Sequence, residues 1–259
     1  MSENVQKTPA KKIDPRGKVA FVTGANRGIG RSIVIALLDN GASKVYAAAR
    51  DTTTLATLKE QYGDRLIPIE LDVTKNETIQ RAAEIATDVN ILINNAGVLA
   101  FGGFFDDDVL NSLETNLNVN VWGLVRVSKA FINTLRKGES NAIVNLSSVA
   151  GLANMPMLGT YSASKAAVHS ITQGMRGELA QDNIRVLGVY PGPIDTDMAA
   201  GFPMEKESPE NVANKLIDAL KTDVDDVFPD PMAVQSGATY ASQPKELERQ
   251  FGSMVAEAD

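Results

Sequence analysis

Tyr161 and Lys165 stand four residues apart and have the clearest chemical use in this sequence. In a helix that spacing puts both side chains on one face, about 6 Å apart along the axis. A phenol with a pKa of about 10 is a poor acid–base catalyst near neutrality. An ammonium within about 4–6 Å favours the phenolate by roughly 1–3 pKa units, which would let Tyr161 exchange a proton with a reacting oxygen. The pair alone is weak evidence, since ordinary residue usage gives roughly 0.3 chance matches. Its context adds weight: Ser148 stands thirteen residues before Tyr161, at the end of an apolar run, with Ser147 beside it.

A second cluster is Thr23-Gly24-Ala25-Asn26-Arg27-Gly28-Ile29-Gly30, an apolar run turning through glycines into a helical pattern. Chance supplies roughly 0.007 such matches before that context is required. A strand, a glycine turn and a helix N-terminus together form a diphosphate site, where free N–H groups and the helix dipole favour negative charge. Gly24 permits the turn, Gly28 lets backbone approach a pyrophosphate, and Gly30 lets helix and strand pack closely. NAD-binding folds place an acid at the end of the second strand, whereas arginine suits a 2′-phosphate. Here Ala49 takes the acid's place, Arg50 follows, and Arg27 lies in the turn, so the cofactor reads as NADP(H). Asp51 keeps NAD open if it, rather than Arg50, faces the ribose.

These residues need a scaffold. Apolar runs at Lys18–Thr23, Lys44–Ala49, Leu66–Leu71, Asn90–Asn94, Asn141–Ser147 and Ile184–Tyr190 read as strands. Several are near-continuously apolar, as in sheets covered on both faces. Helical patterns fall at Ile29–Asp39, Thr52–Gln61, Asn76–Thr87, Val109–Leu135, Thr160–Ala180 and Pro209–Leu220. The alternation predicts one α/β domain, a doubly wound parallel, Rossmann-like sheet with helices on both faces, over residues 18–259. Residues 1–17 read as a flexible polar tail with no signal peptide. From Pro229 a proline, glycine and serine stretch precedes a helix at about Lys245–Val255, and a weak strand is expected at Val224–Phe228.

The glycine turn resembles that of the short-chain dehydrogenase/reductase family. So do Asn94-Asn95-Ala96-Gly97, Asn120 in Asn120-Val121-Trp122-Gly123, Ser148 with Tyr161-x-x-x-Lys165, and Pro191-Gly192, all in the family's order over about residues 17–200. The resemblance implies a catalytic set of Asn120, Ser148, Tyr161 and Lys165. Ser148 would position the substrate oxygen, Lys165 would also bond the nicotinamide ribose, and Asn120 would hold a water linking Lys165 to solvent. It also implies cofactor contacts from Gly24, Asn26, Arg27, Gly28, Ile29, Gly30, Arg50, Asp72, Val73, Asn95, Ala96, Gly97, Pro191, Gly192, Ile194 and Thr196. Asp72 and Val73 resemble the adenine-contacting pair, with helix capping a rival role for Asp72. Ile194 and Thr196 would hold the carboxamide, and hydride would leave the nicotinamide B face. Asn94 and Asn95 read as structural braces.

Composition narrows the rest. A net charge of −7 and a pI near 4.9 argue against a nucleic-acid partner. Without cysteine there is no disulfide, thiol catalysis or thiolate metal site, and the single histidine, His169, reads as a packing or surface residue. No apolar stretch approaches the roughly 18 residues of a membrane span, and the expected location is cytoplasmic. Val98, Leu99, Phe101, Leu152, Met155, Met157, Leu158, Met198 and Phe202 promise an apolar wall without an arginine clamp, which suits a ketone, aldehyde or secondary alcohol. The loop after Pro193 looks short, leaving that pocket open. Relatives pair through the helices expected at Val109–Leu135 and Thr160–Ala180, so a homodimer or larger assembly is expected. The rival readings are an NAD-dependent alcohol dehydrogenase of the same fold, a non-catalytic NADP(H)-binding sensor, and a sugar-nucleotide epimerase.

Overall fold

A computed structural model describes residues 12–255. Six apolar runs form parallel strands close to the expected bounds: β1 (Val19–Thr23), β2 (Lys44–Ala49), β3 (Leu66–Glu70), β4 (Ile91–Asn94), β5 (Asn141–Leu146) and β6 (Ile184–Val189). A two-residue strand, β7 (Asp226–Val227), completes the order β3-β2-β1-β4-β5-β6-β7. The pleat sorts side chains between two layers. Phe21, Leu92, Ile143 and Val186 lie in register and point to one face. There they meet α3 (Asn76–Ile85) and α5 (Leu124–Lys137) through Ile79, Val127, Phe131 and Leu135. Val22, Ile93, Val144 and Leu187 point the other way, against Ile33 and Leu37 of α1 (Gly28–Asp39) and Leu216 of α7 (Pro209–Lys221). This is the expected doubly wound sheet. Its order reverses between β1 and β4, and a crevice opens there at the strands' carboxyl ends. The remaining wall is α6 (Gly159–Glu178), which follows β5.

Four expectations need correction. Residues 12–17 are not a free tail: Ile13 is 1% exposed, and its N–H donates to Leu220 O at 2.7 Å. Residues 1–11 lie outside the described residues. The segment Thr52–Gln61 begins as a 3₁₀ turn (Thr52–Leu55) before α2 (Ala56–Tyr62).

The long helix is interrupted. It runs as α4 (Val109–Asn116), a π-helical segment (Leu117–Gly123) and then α5. Two asparagines one turn apart account for the local geometry. Asn116 accepts from Ala100 N and donates to Ala100 O, and Asn120 does the same with Val98. Both amides are thus tied to the chain leaving β4. Gly123, at the end of the π-helical segment, packs directly on Val73, where a Cβ would stand 2.7 Å from Cγ2.

The stretch after Pro229 is helical as well: α8 (Pro231–Ser242) and α9 (Pro244–Gly252). Gly237 sits inside α8 because the Phe228 ring lies against it, 2.7 Å from any added Cβ. A glycine that reads as a breaker is therefore a packing requirement. Among the described residues no helix is long and apolar enough to cross a membrane.

Since Ile13 is buried against α7, Ile13→Ala should lower stability by about 2–4 kcal/mol. Chemical denaturation checks this, and an unchanged midpoint would return Ile13 to a free tail.

Candidate active site

The glycine turn is held from the neighbouring strand. Asn95 donates from Nδ2 to Thr23 O (2.9 Å) and Gly24 O (3.1 Å), and Thr23 Oγ1 accepts from the N–H groups of Asn95 and Ala96 (2.9 Å each). Gly24 and Gly28 take left-handed φ values of 63° and 50°, where side chains are strained. A Cβ on Gly30 would stand 2.2 Å from Gly24 O, so only glycine fits. Helix α1 begins at Gly28 with extended Arg27 before it and no side chain capping its first N–H groups. Asn26 is half-buried in the turn, and Ile29 packs against the core. A bare N-terminus behind a glycine turn fits a dinucleotide's diphosphate.

Beyond the turn, Ala49 is buried at the end of β2 and Arg50 is exposed next to it. Asp51 turns its carboxylate back to Thr53 N (2.9 Å) and Thr53 Oγ1 (2.6 Å). Arg27 pairs with Asp197 at 3.0 Å, both side chains being largely exposed. Asp72 accepts from Thr74 N and Oγ1, fixing the turn before α3, and Val73 is buried against Gly123.

Ser148, Tyr161, Lys165 and Asn120 come together, all buried. Ser148 Oγ donates to Pro191 O (3.2 Å) and stands beside the Tyr161 hydroxyl. Ser147 points elsewhere, to Lys165 O (3.0 Å). Lys165 Nζ donates to Leu146 O at 2.8 Å and lies 5.6 Å from the Tyr161 ring centroid. Gly97 fits between partners: a Cβ there would meet Asn120 Oδ1 at 3.2 Å and Lys165 Nζ at 3.7 Å. Asn120 also donates to Ser164 Oγ (3.0 Å), so both hydrogens of its amide are engaged by protein and its Oδ1 accepts one bond, from Val98 N. Ala96 is partly buried above the second core layer.

The electrostatics differ from expectation. Burial pushes Tyr161 up to about 12, with Ser148 opposing, rather than Lys165 drawing it down. The ammonium faces the ring and a carbonyl, and burial itself pulls Lys165 down to about 8. The phenol is thus held protonated at neutral pH, a proton donor at rest.

The apolar wall is present but wider than expected. Tyr161 clusters with Met155, Leu158, Leu99, Leu152 and Phe202, and the Phe101 ring lies tilted against Phe202 with centroids 5.8 Å apart. Met157 and Met198 are exposed. Residues 194–208 do not form a short open loop. They fold back through a parallel bridge from Ile194 to Glu207, and Thr196 Cγ2 would lie 2.9 Å from a Cβ on Gly28. Sequence reasoning missed the contribution of α8 and α9, whose Met232, Ala233, Leu247 and Phe251 join the same cluster. The four-residue spacing of Leu247 and Phe251 was a usable signal. It also missed Asp230, 4% exposed, which accepts from Gly192 N (2.7 Å) and Ala233 N (2.8 Å). His169 is a packing residue, edge-on to Tyr190 and Tyr240 with Nδ1 2.8 Å from Tyr190 Oη.

A glycine turn at the switch point of a parallel sheet, with a buried serine, tyrosine and lysine alongside, is the layout of a dinucleotide-binding oxidoreductase. Comparison with known proteins agrees. The family model of short chain dehydrogenases matches residues 18–207, and this chain belongs to that family. It is 33% identical over 220 residues to an uncharacterized oxidoreductase of Staphylococcus saprophyticus, covering 81% of this chain and 93% of that protein. A short chain dehydrogenase from Burkholderia cenocepacia, solved in complex with NADP, superposes with a TM-score of 0.86 at 34% identity, covering 92% of this chain and 99% of the other. A family member from Burkholderia phymatum in complex with NAD gives 0.81 at 25% identity, covering 95% and 99%.

Proposed function

We propose that this protein is an NADP(H)-dependent carbonyl reductase of the cytoplasm, interconverting an apolar ketone or aldehyde and its alcohol. The observation that supports it most is the buried cluster in which Tyr161 meets Ser148 and Lys165, and Lys165 and Asn120 meet at Gly97, in a fold whose glycine turn leaves the N-terminus of α1 uncapped. The bound nicotinamide supplies or accepts the hydride. Tyr161, protonated at neutral pH, donates its proton to the substrate oxygen in reduction and withdraws it in oxidation. Ser148 rotates from Pro191 O to hold that oxygen. Lys165 bonds the ribose and passes protons toward Tyr161. A water on the path to solvent would sit on the backbone carbonyl of Asn120 or the second lone pair of its Oδ1, since the amide is otherwise engaged. Gly24, Asn26, Gly28 and Gly30 would form the diphosphate floor, and Asp72 and Val73 would flank the adenine. Asn95, Ala96 and Gly97 would line the ribose side, and Pro191, Gly192, Ile194 and Thr196 the carboxamide side.

Turnover of NADPH and NADH against a panel of apolar carbonyls tests the assignment. In the active assay Tyr161→Phe should drop below a tenth of wild-type kcat with NADP(H) affinity changed only a few-fold. Greater residual turnover removes Tyr161 from the proton transfer.

Arg27 and Arg50 support the phosphate-bearing cofactor, and Asp51, tied to Thr53, does not offer its carboxylate to a ribose. A charge-assisted hydrogen bond contributes roughly 1.5–3 kcal/mol, so each arginine should favour NADPH by about ten- to a hundredfold. Ala49→Asp with Arg50→Ala should reverse the preference in kcat/KM, and a wild type that works equally well with NADH contradicts the reading.

A second copy of the chain is the proposed partner. Leu110 and Trp122 are exposed beside Leu113, Leu117 and Arg126 on the α4–α5 face, an apolar strip that a partner would cover. Light scattering at micromolar concentration should report at least a dimer, and a monomer overturns this.

A further inference from the structure

Asp230 is a carboxylate shut away from water, and among the described residues it has no cationic partner. An ionised group in that position is costly unless hydrogen bonds replace its hydration. Two N–H groups do so. Oδ1 accepts from Ala233 N, the ordinary N-cap bond of α8. Oδ2 reaches across 38 residues of chain to Gly192 N at 2.7 Å. A cap needs only the first bond; a serine would serve. The second bond requires a side chain with two acceptors.

What it holds is the loop leaving β6. Gly192 lies so close to α8 that a Cβ there would stand 2.7 Å from Asp230 Oδ1 and 3.3 Å from Met232 Cβ. The preceding residue, Pro191, offers the carbonyl that receives both Val149 N (3.1 Å) and the Ser148 hydroxyl (3.2 Å). A continuous set of contacts thus runs from the N-terminus of α8 through Asp230, Gly192 and Pro191 to Ser148 beside Tyr161. We propose that Asp230 is a positioning residue for the reaction, setting the Pro191–Gly192 loop and through it Ser148 and the nicotinamide side of the cofactor groove. The same contact ties that loop to the helices that supply Ala233, Met232, Leu247 and Phe251 to the apolar wall. This inference rests on the carbonyl reductase reading above.

Asp230→Ser separates the two bonds, keeping a helix cap while giving up Gly192. Wild type and variant are compared by thermal melting, by NADPH affinity from cofactor fluorescence, and by kcat and KM for the best carbonyl of the panel. Asp230→Ser should melt near wild type while kcat falls about tenfold or more, since small misplacements of reacting groups are that expensive. The NADPH Kd should rise about threefold or more, with KM for the carbonyl less affected than kcat. Retention of kcat and Kd within about twofold overturns the proposal, as does a lowered melting temperature with both constants intact, because either leaves Asp230 a cap alone. Where Asp230→Ser does not fold, Asp230→Asn decides by the same criteria, since its amide keeps one acceptor and the original size. A wild type that neither binds NADPH nor reduces any carbonyl sinks the functional reading, and this inference with it. A competent wild type matched by Asp230→Ser sinks this inference alone.

Discussion

The site depends on one junction, the pair of side chains that lock the carboxyl ends of β1 and β4 together. The Thr23 and Asn95 side chains make four hydrogen bonds across the switch point, two between these residues, one from Ala96 N and one to Gly24 O, and so satisfy backbone groups where β1 and β4 part. Buried backbone groups at a strand end need partners, and loops here would otherwise want water. The junction fixes the path of the glycine turn, hence the aim of α1, and sets Ala96 and Gly97 going toward Asn120 and Lys165. Gly30 and Gly24 approach so closely that a methyl group at Gly30 has no room. The glycine turn and the surroundings of Lys165 and Asn120 are therefore positioned by the same few atoms.

Burial has opposite consequences for the two titrating groups of that cluster. It opposes charge on both, raising the tyrosine and lowering the lysine. Against the phenolate the net bias, with the opposing Ser148 hydrogen bond included, is on the order of 3 kcal/mol. A protein that only had to make phenolate would place an ammonium at the hydroxyl. Lys165 instead donates a hydrogen bond to Leu146 O and faces the ring. The resting arrangement therefore keeps the Tyr161 hydroxyl protonated, and stabilising its phenolate would take a further positive charge nearby.

The legible parts of the sequence were those governed by local pattern. Near-continuous apolar runs became strands because both faces of the sheet are covered, and the glycine turn was readable because its conformation admits few other residues. What escaped was set by contacts between distant segments. Apolar periodicity continues through Asn116 and Asn120, so nothing local marks the π-helical break that their bonds to Ala100 and Val98 accompany. Gly237 reads as a breaker until the Phe228 ring is placed against it. Ile13 sits among polar residues and looks solvated until α7 supplies its partner. Asp230-Pro231 was a fair local signal, an N-cap followed by proline at the first helical position. Its bond to Gly192 was not, since no spacing relates those residues.

The layout divides into a frame and a wall. Ser148 follows β5, Tyr161 and Lys165 lie on α6, and Asn120 lies on the π-helical segment; α6 is bonded to the end of β5 and the π-helical segment to α6. The apolar wall comes from pieces outside that frame: the 98–105 segment, the 194–208 loop, α8 and α9. Their packing with one another is side chain on side chain, which tolerates substitution as long as volume is kept. The Arg27–Asp197 pair joins this outer layer to the glycine turn, but both partners are exposed and such pairs are worth at most about 1 kcal/mol. A phosphate approaching Arg27 therefore meets little resistance from Asp197. The wall is thus tied to the Ser148–Tyr161 cluster through Asp230 and Gly192 and otherwise packs side chain on side chain, so substitutions in it that keep volume and spare Asp230 should leave that cluster in place.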